Sequence, residues 1–211
     1  MLIDFRALFP KYGINPKGVL HVGANVGEEA PVYLELGIKR QIWIEANPEI
    51  YEKLKRNIAN NPEAEAIQAC ITDDDQQEAI DFHISNNGSQ SSSILELGTH
   101  LIAHPEVNYT NTIKLIPQRL DFFFENVYDV FNSDLDFLNL DLQGAELKAL
   151  KGLGIHLHHF KYIYTEVNKE ELYKGCALVG EIDEYLSHYG FKRVETKWCG
   201  NTGWGDALYI K

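Results

Sequence analysis

Apolar residues recur along this chain in two rhythms, and the alternation between them outlines a fold. Leu2, Phe5, Leu8, Phe9 and Tyr12 fall at helical spacing and predict a short opening helix. Asn15-Pro16-Lys17-Gly18 then breaks the chain. Val19-Leu20-His21-Val22 predicts a short buried strand that runs into the turn Gly23–Gly27, with a helix over Glu28 to Leu36. Gln41 to Ala46 predicts a second strand. Pro48 suits the first turn of a helix whose Ile50, Leu54 and Ile58 share one face.

The alternation continues. Ala64 to Ile71 and Ala79 to Ile84 predict extended segments, and the polar stretch Ser85 to Ser93 reads as a linker or a lid. Asp136 to Leu142 predicts a strand, Ala145 to Leu153 a helix and Tyr162 to Val167 a strand. Leu178, Ile182, Leu186 and Tyr189 mark one face of a further helix. Phe191 to Trp198 and Asp206 to Ile210, split by Cys199-Gly200-Asn201-Thr202-Gly203, predict a closing β-hairpin. Strands alternating with helices imply an α/β fold on a mostly parallel sheet, to which the hairpin adds an antiparallel edge. No internal repeat is visible. The 211 residues suit one domain, 1–211, with residues 1–17 as an N-terminal helical extension.

Charge narrows the partners. A net charge of −12 opposes binding to phosphate backbones, so no DNA partner is expected. Lys53, Lys55 and Arg56 stand beside Glu49 and Glu52 at helical spacing and read as a solvated face. The opening residues lack the apolar core of a signal peptide, and no apolar run approaches the ~20 residues that span a bilayer. A cytoplasmic protein without a membrane span is expected. Cys70, Cys176 and Cys199 show neither C-x-x-C nor zinc spacing and read as buried structural thiols. His156, His158 and His159 lack matched acids and read as a surface turn. No metal site is assigned.

The candidate chemistry gathers at strand ends. Gly23 and Gly27 permit dihedrals closed to other residues and a close approach of backbone to ligand. Glu45 ends the second strand, where Rossmann proteins hold a ribose; it reads either as the ribose acceptor or as an acid at the start of the next helix. The dinucleotide pattern G-x-G-x-x-G fails here, since Asn25 and Glu28 replace two of its glycines, and Glu28 would repel a phosphate. S-adenosylmethionine carries no phosphate, so methyl transfer is favoured over hydride transfer. Asp141 and Glu166 end adjacent strands, where open sheets bind ligands. They read as a general base and its partner, as ligands of a divalent cation, or as a helix cap and a backbone acceptor.

The segments H-V-G-A-N-V-G (21–27), W-I-E-A-N-P (43–48), L-D-L-Q-G-A-E-L-K-A-L-K-G-L (140–153), Y-T-E-V (164–167) and G-W-G-D-A-L-Y (203–209) resemble the FkbM-type methyltransferases. The most specific is Asp141-Leu142-Gln143-Gly144-Ala145-Glu146, and Leu120-Asp121 resembles a leucine–aspartate pair upstream of it. The resemblance covers most of the chain. It implies a Rossmann-like class I methyltransferase with a seven-stranded sheet, S-adenosyl-L-methionine as cofactor, and O-methylation of a sugar, glycan or natural-product hydroxyl. Three positions differ from the family: His21 replaces an acid, Asn139 a lysine and Gln143 a glutamate.

The cofactor wall is assigned to His21, Gly23, Ala24, Asn25 and Gly27, to Glu45 and Ala46, to Cys70 and Ile71, and to Asp141. Asp141 and Glu166 are the catalytic candidates. Gln143, Gly144 and Trp204 are the substrate candidates, and Asp206 stands beside Trp204 in the hairpin. The acceptor expected is a small molecule or glycan. The alternatives are a non-catalytic S-adenosylmethionine-binding protein, and a methyltransferase acting on protein or RNA.

Overall fold

Residues 1–126 and 134–211 are described in a computed structural model of the chain. Asp4 opens α1 (Phe5–Tyr12) by accepting the Arg6 N–H, and Gly13 closes it in the left-handed conformation. There follow β1 (Gly18–Val22), α2 (Ala30–Glu35), β2 (Arg40–Glu45), α3 (Pro48–Ile58), β3 (Ala64–Gln68) and β4 (Cys70–Ile71). The middle of the chain forms β5 (Ile80–Ser85), α4 (His100–Ala103), β6 (Tyr109–Leu115), β7 (Pro117–Gln118) and α5 (Leu120–Asn126). Then come β8 (Phe137–Leu140), α6 (Glu146–Leu153), a 3-10 turn (Gly154–His159) and β9 (Tyr162–Asn168). The last elements are α7 (Val179–Ser187), β10 (Lys192–Trp198) and β11 (Trp204–Ile210).

Seven strands make one sheet in the order β10-β11-β9-β8-β1-β2-β3. Pairing is parallel from β3 across to β9, and β11 runs antiparallel to both β9 and β10. The Rossmann-like sheet with its closing hairpin matches the expectation, but the final strand is not the edge. β11 lies inside the sheet, and β10 is outermost. Composition explains the choice: Gly205 to Tyr209 are buried, whereas β10 carries Lys192, Arg193 and Lys197 and tolerates an edge.

β1 is buried at every position, and alternate residues feed two cores. Leu20, Val22, Ile42, Ile44, Leu138 and Leu140 pack with Leu150, Leu153, Ile182 and Leu186 of α6 and α7. On the other face Val19, Trp43, Phe137 and Tyr164 meet Phe5 and Phe9 of α1, Tyr33 of α2 and Leu54 of α3. The opening helix is therefore part of the core. The Phe5 ring centre lies 4.8 Å from that of Tyr164 and 5.8 Å from that of Tyr33.

Three local expectations change. The strand predicted over Ala64 to Ile71 breaks at Ala69, whose N–H bonds the Glu45 carbonyl, and β4 leaves the sheet to pair with β7. His156 is not on a surface turn: its ring is buried and stacked 5.6 Å from Phe124, because the 3-10 turn packs on α5; His158 is exposed. Cys70 and Cys176 are buried as expected, while Cys199 is half-buried. Among the described residues no helix is long and apolar enough to cross a membrane.

Candidate functional site

The carboxyl ends of β1, β2, β8 and β9 open into one cavity of about 470 Å³. The chain builds outward from β1 in both directions, to β2 and to β8, and such reversals leave a crevice at the strand ends.

Gly23 lines the cavity with φ +82°, and a Cβ built on it would stand 1.8 Å from the Asp141 carbonyl oxygen. The glycine is thus needed first for the crossing of the β1 and β8 loops. Its N–H and that of Ala24 both bond the Ile44 carbonyl, which ties the turn to β2. The sequence places Gly27 on the cofactor wall, but it does not line the cavity. Its missing Cβ makes room for Leu54 and Ile58 of α3.

His21 borders the cavity but is turned into the core, stacked 4.9 Å from the Trp43 ring. Its Nδ1 lies 3.2 Å from the Tyr33 hydroxyl and 3.5 Å from Asn139 Nδ2, and Asn139 Nδ2 donates to that hydroxyl at 2.7 Å. With two donors against it, Nδ1 is the acceptor, and the ring is neutral. Burial pushes its pKa down to about 3. Asn139 is enclosed in this network and does not reach the cavity.

Glu45 accepts the Asn25 N–H on one oxygen at 2.8 Å and the Asn47 N–H on the other at 2.7 Å. It does not cap α3, because Asn47 does so by accepting the Glu49 N–H. The carboxylate has about four acceptor sites, so these bonds leave it acceptor capacity for a ligand. Burial pushes its carboxyl up to about 7, with the two backbone bonds and that of Ala46 opposing and the charge of Asp141 adding. Ala46, Cys70 and Ile71 continue this wall, and burial raises the Cys70 thiol to about 12, so it is an apolar surface.

Asp141 does not cap α6 either. Glu146 reaches back to accept the Leu142 and Gly144 N–H groups at 2.8 and 3.2 Å, leaving Asp141 toward the cavity. Gln143, at φ +52°, donates from Nε2 to Asp141 Oδ1 at 2.6 Å and to Glu166 Oε2 at 3.0 Å. Its Oε1 accepts the Tyr173 hydroxyl at 2.5 Å, and its carbonyl accepts the Ser93 hydroxyl at 2.9 Å. One amide therefore spaces the two carboxylates and ties them to two loops. Asp206 pairs with Glu166 in the β9–β11 register and accepts the Tyr164 hydroxyl at 2.5 Å. Burial, helped by Asp206, pushes Asp141 up to about 6. Burial, then the charges of Asp141, Glu146 and Asp206, holds Glu166 well above the carboxylate range. Of the two, Glu166 is the carboxyl whose surroundings favour the protonated form more strongly.

The outer wall comes from segments that gave little signal in the sequence. Ser89 to Ser93, His100, His104, Tyr173 and Trp204 line it. The Ser85–Ser93 stretch is cavity wall, not mere linker: Asn47 Nδ2 donates to Ser89 at 3.0 Å, and Ser92 bonds Ser85 and Ser89. Trp204 also packs on Leu97, Leu172, Tyr173 and Cys176. Gly144 does not line the cavity; a Cβ there would stand 2.9 Å from both Tyr173 and Cys176. Asp121 lies off the site and pairs with Arg119. Glu29 lines the cavity and was not foreseen as a contact. Among the described residues no lysine or arginine lines this cavity, and no group of three or more histidines, cysteines or acids is arranged to hold a metal ion.

Residues 21–193 match the family model described as the methyltransferase FkbM domain. The 2-O-methyltransferase NoeI of Sinorhizobium fredii is 28% identical over 164 residues, a stretch that takes in 74% of this chain and 65% of that protein. The chain thus spans just under two thirds of the length of this curated relative. Among solved structures, ribosomal protein L11 methylase from Lactobacillus delbrueckii subsp. bulgaricus superposes with a TM-score of 0.51 at 13% identity, over 98% of this chain and 76% of that one. TrmK of M. capricolum, solved with S-adenosyl-homocysteine, gives 0.50 at 8% identity, over 100% and 69%. At these identities the structures speak for the fold.

Proposed function

The chain belongs to the FkbM methyltransferase family, and from that premise we propose that residues 1–211 act as one domain that moves a methyl group from S-adenosyl-L-methionine to a hydroxyl of a sugar, glycan or small natural product. One observation carries the reading. Glu45, Asp141, Glu166 and Asp206 converge on a strand-end cavity that no described lysine or arginine lines. Such a surface repels a pyrophosphate and attracts a sulfonium. The kinship to a 2-O-methyltransferase supports oxygen as the acceptor atom.

The residues divide the work by position. Glu45, with acceptor capacity left beyond its backbone bonds, accepts the ribose hydroxyls. Ala46, Cys70 and Ile71 supply an apolar face beside it for the base. The cofactor, when bound, supplies an electrophilic methyl group on sulfur, and holding the acceptor oxygen in line with it is most of the catalytic task. Asp141, ionised near neutrality, takes the acceptor's proton. Glu166, whose burial and acidic neighbours favour its protonated form, stands beside it, and Gln143 fixes the spacing. The Gln143 amide places donors between the two carboxylates, where a divalent cation would need acceptors, so the base reading is preferred to a cation site. Tyr173 and Trp204 offer flat apolar faces to the acceptor.

Calorimetry with S-adenosylhomocysteine and with NAD tests the cofactor. Binding of the first and not the second is expected. The reverse result would overturn the assignment.

A further inference from the structure

Glu29 is the N-cap residue of α2, yet its side chain makes no capping hydrogen bond. It lines the cavity beside Gly23, Ala24 and Asn25. Its charge bears on the hydroxyl of Tyr33, a member of the His21–Tyr33–Asn139 network. His21 is neutral and its Nδ1 is occupied, so the end of β1 contributes no negative charge of its own. Glu45 and Ile71 mark the nucleoside end of the cavity, and Asp141 with Glu166 marks the transfer end. Glu29 follows the Gly23–Gly27 turn in the chain and lines the same cavity, so it is an acid available to the amino-acid end of the cofactor.

We infer that Glu29 is a positioning residue that receives the ammonium group of the cofactor's methionine end, an assignment that rests on the proposed S-adenosylmethionine site. The electrostatics agree. Burial pushes the Glu29 carboxyl up to about 7, the charges of Asp141 and Glu28 push the same way, and the Met1 α-amino group and a backbone bond oppose them. A half-buried carboxylate in a cavity that no described lysine or arginine lines is costly. A bound ammonium adds a second positive neighbour to the Met1 α-amino group and favours the ionised form.

Two ligands separate this role from a general effect on the pocket. S-adenosylhomocysteine carries the amino-acid end, and 5′-methylthioadenosine has the same nucleoside and sulfur without it. Affinities are measured by calorimetry for the wild type and for Glu29→Gln, which keeps the size and removes the charge. The expected result is a loss of about ten-fold or more for S-adenosylhomocysteine, with 5′-methylthioadenosine unchanged within about two-fold. Retained binding of the second ligand also certifies the fold of the variant. Equal losses for both ligands, or no loss for either, would overturn the role of Glu29. A wild type that binds neither ligand would overturn the cofactor site itself.

Discussion

The Gln143 amide nitrogen lies 2.6 Å from Asp141 Oδ1, and this contact, not the start of α6, engages the Asp141 side chain. A neutral amide at this position gives two neighbouring carboxylates a shared donor. An acid here would add a third negative group and remove that donor.

Gln143→Glu is therefore expected to cost about 1–3 kcal/mol of stability, the range for leaving buried polar groups without partners. The loss should be larger at pH 8 than at pH 5, where the added carboxyl can hold a proton. Thermal unfolding at the two pH values checks this. A variant equally stable at both would contradict the bridging role.

The same acids set the pH dependence of the unliganded protein. Glu29, Glu45 and Glu146 are pushed up to about 7 and Asp141 to about 6, in each case chiefly by burial. Raised carboxyl pKa values mean that the folded state binds more protons than the unfolded state between about pH 4 and 7. Stability is then highest below that window and falls as pH rises through it. Melting temperature should drop from pH 5 to pH 8, and a saturating cationic cofactor should flatten the drop. A melting temperature that rises over this range would contradict the assigned environments.

Gly23 and Gly88 both have positive φ, +82° and +70°, but only Gly23 is crowded. Gly88→Ala should cost about 1 kcal/mol of backbone strain. Gly23→Ala adds a clash with the Asp141 carbonyl and should cost at least about 2–4 kcal/mol. Denaturant titration of both variants measures the gap. Equal losses would mean that the loop crossing yields easily.

Glu45→Ala should weaken S-adenosylhomocysteine binding by ~1.5–3 kcal/mol, or roughly one to two decades. It should also lower the melting temperature, because the Asn25 and Asn47 N–H groups lose their acceptor. Unchanged affinity together with a lower melting temperature would make Glu45 a scaffold residue only.

These predictions draw unequally on the sequence. The strand ends were legible because Val19-Leu20-His21-Val22, Gln41 to Ala46 and Tyr162 to Val167 each run from apolar residues into a turn or an acid, which fixes where Glu45 and Glu166 stand. Asp141 was legible for the same reason, but its freedom from α6 was not, since that depends on Glu146 folding back. The inward place of β11 follows from its fully buried run, a weaker cue than its turn. The wall formed by Ser93, His100 and Tyr173 could not be read, because α4 is short and the contacts join residues far apart in the chain. Gly27 and Gly144 misled for a related reason: a glycine that lets a helix or loop pack looks the same in sequence as one that faces a ligand.

Methyl transfer at Asp141 is tested by following labelled methyl from S-adenosyl-L-methionine to a panel of hydroxylated sugars and small molecules, with the wild type and with Asp141→Asn. Asn keeps the size and much of the hydrogen bonding but cannot take the proton. Labelled product is expected from the wild type, with a drop of ~10²-fold or more in turnover for the variant and S-adenosylhomocysteine affinity within about three-fold of wild type. Wild-type turnover in Asp141→Asn would contradict the role of Asp141 as base.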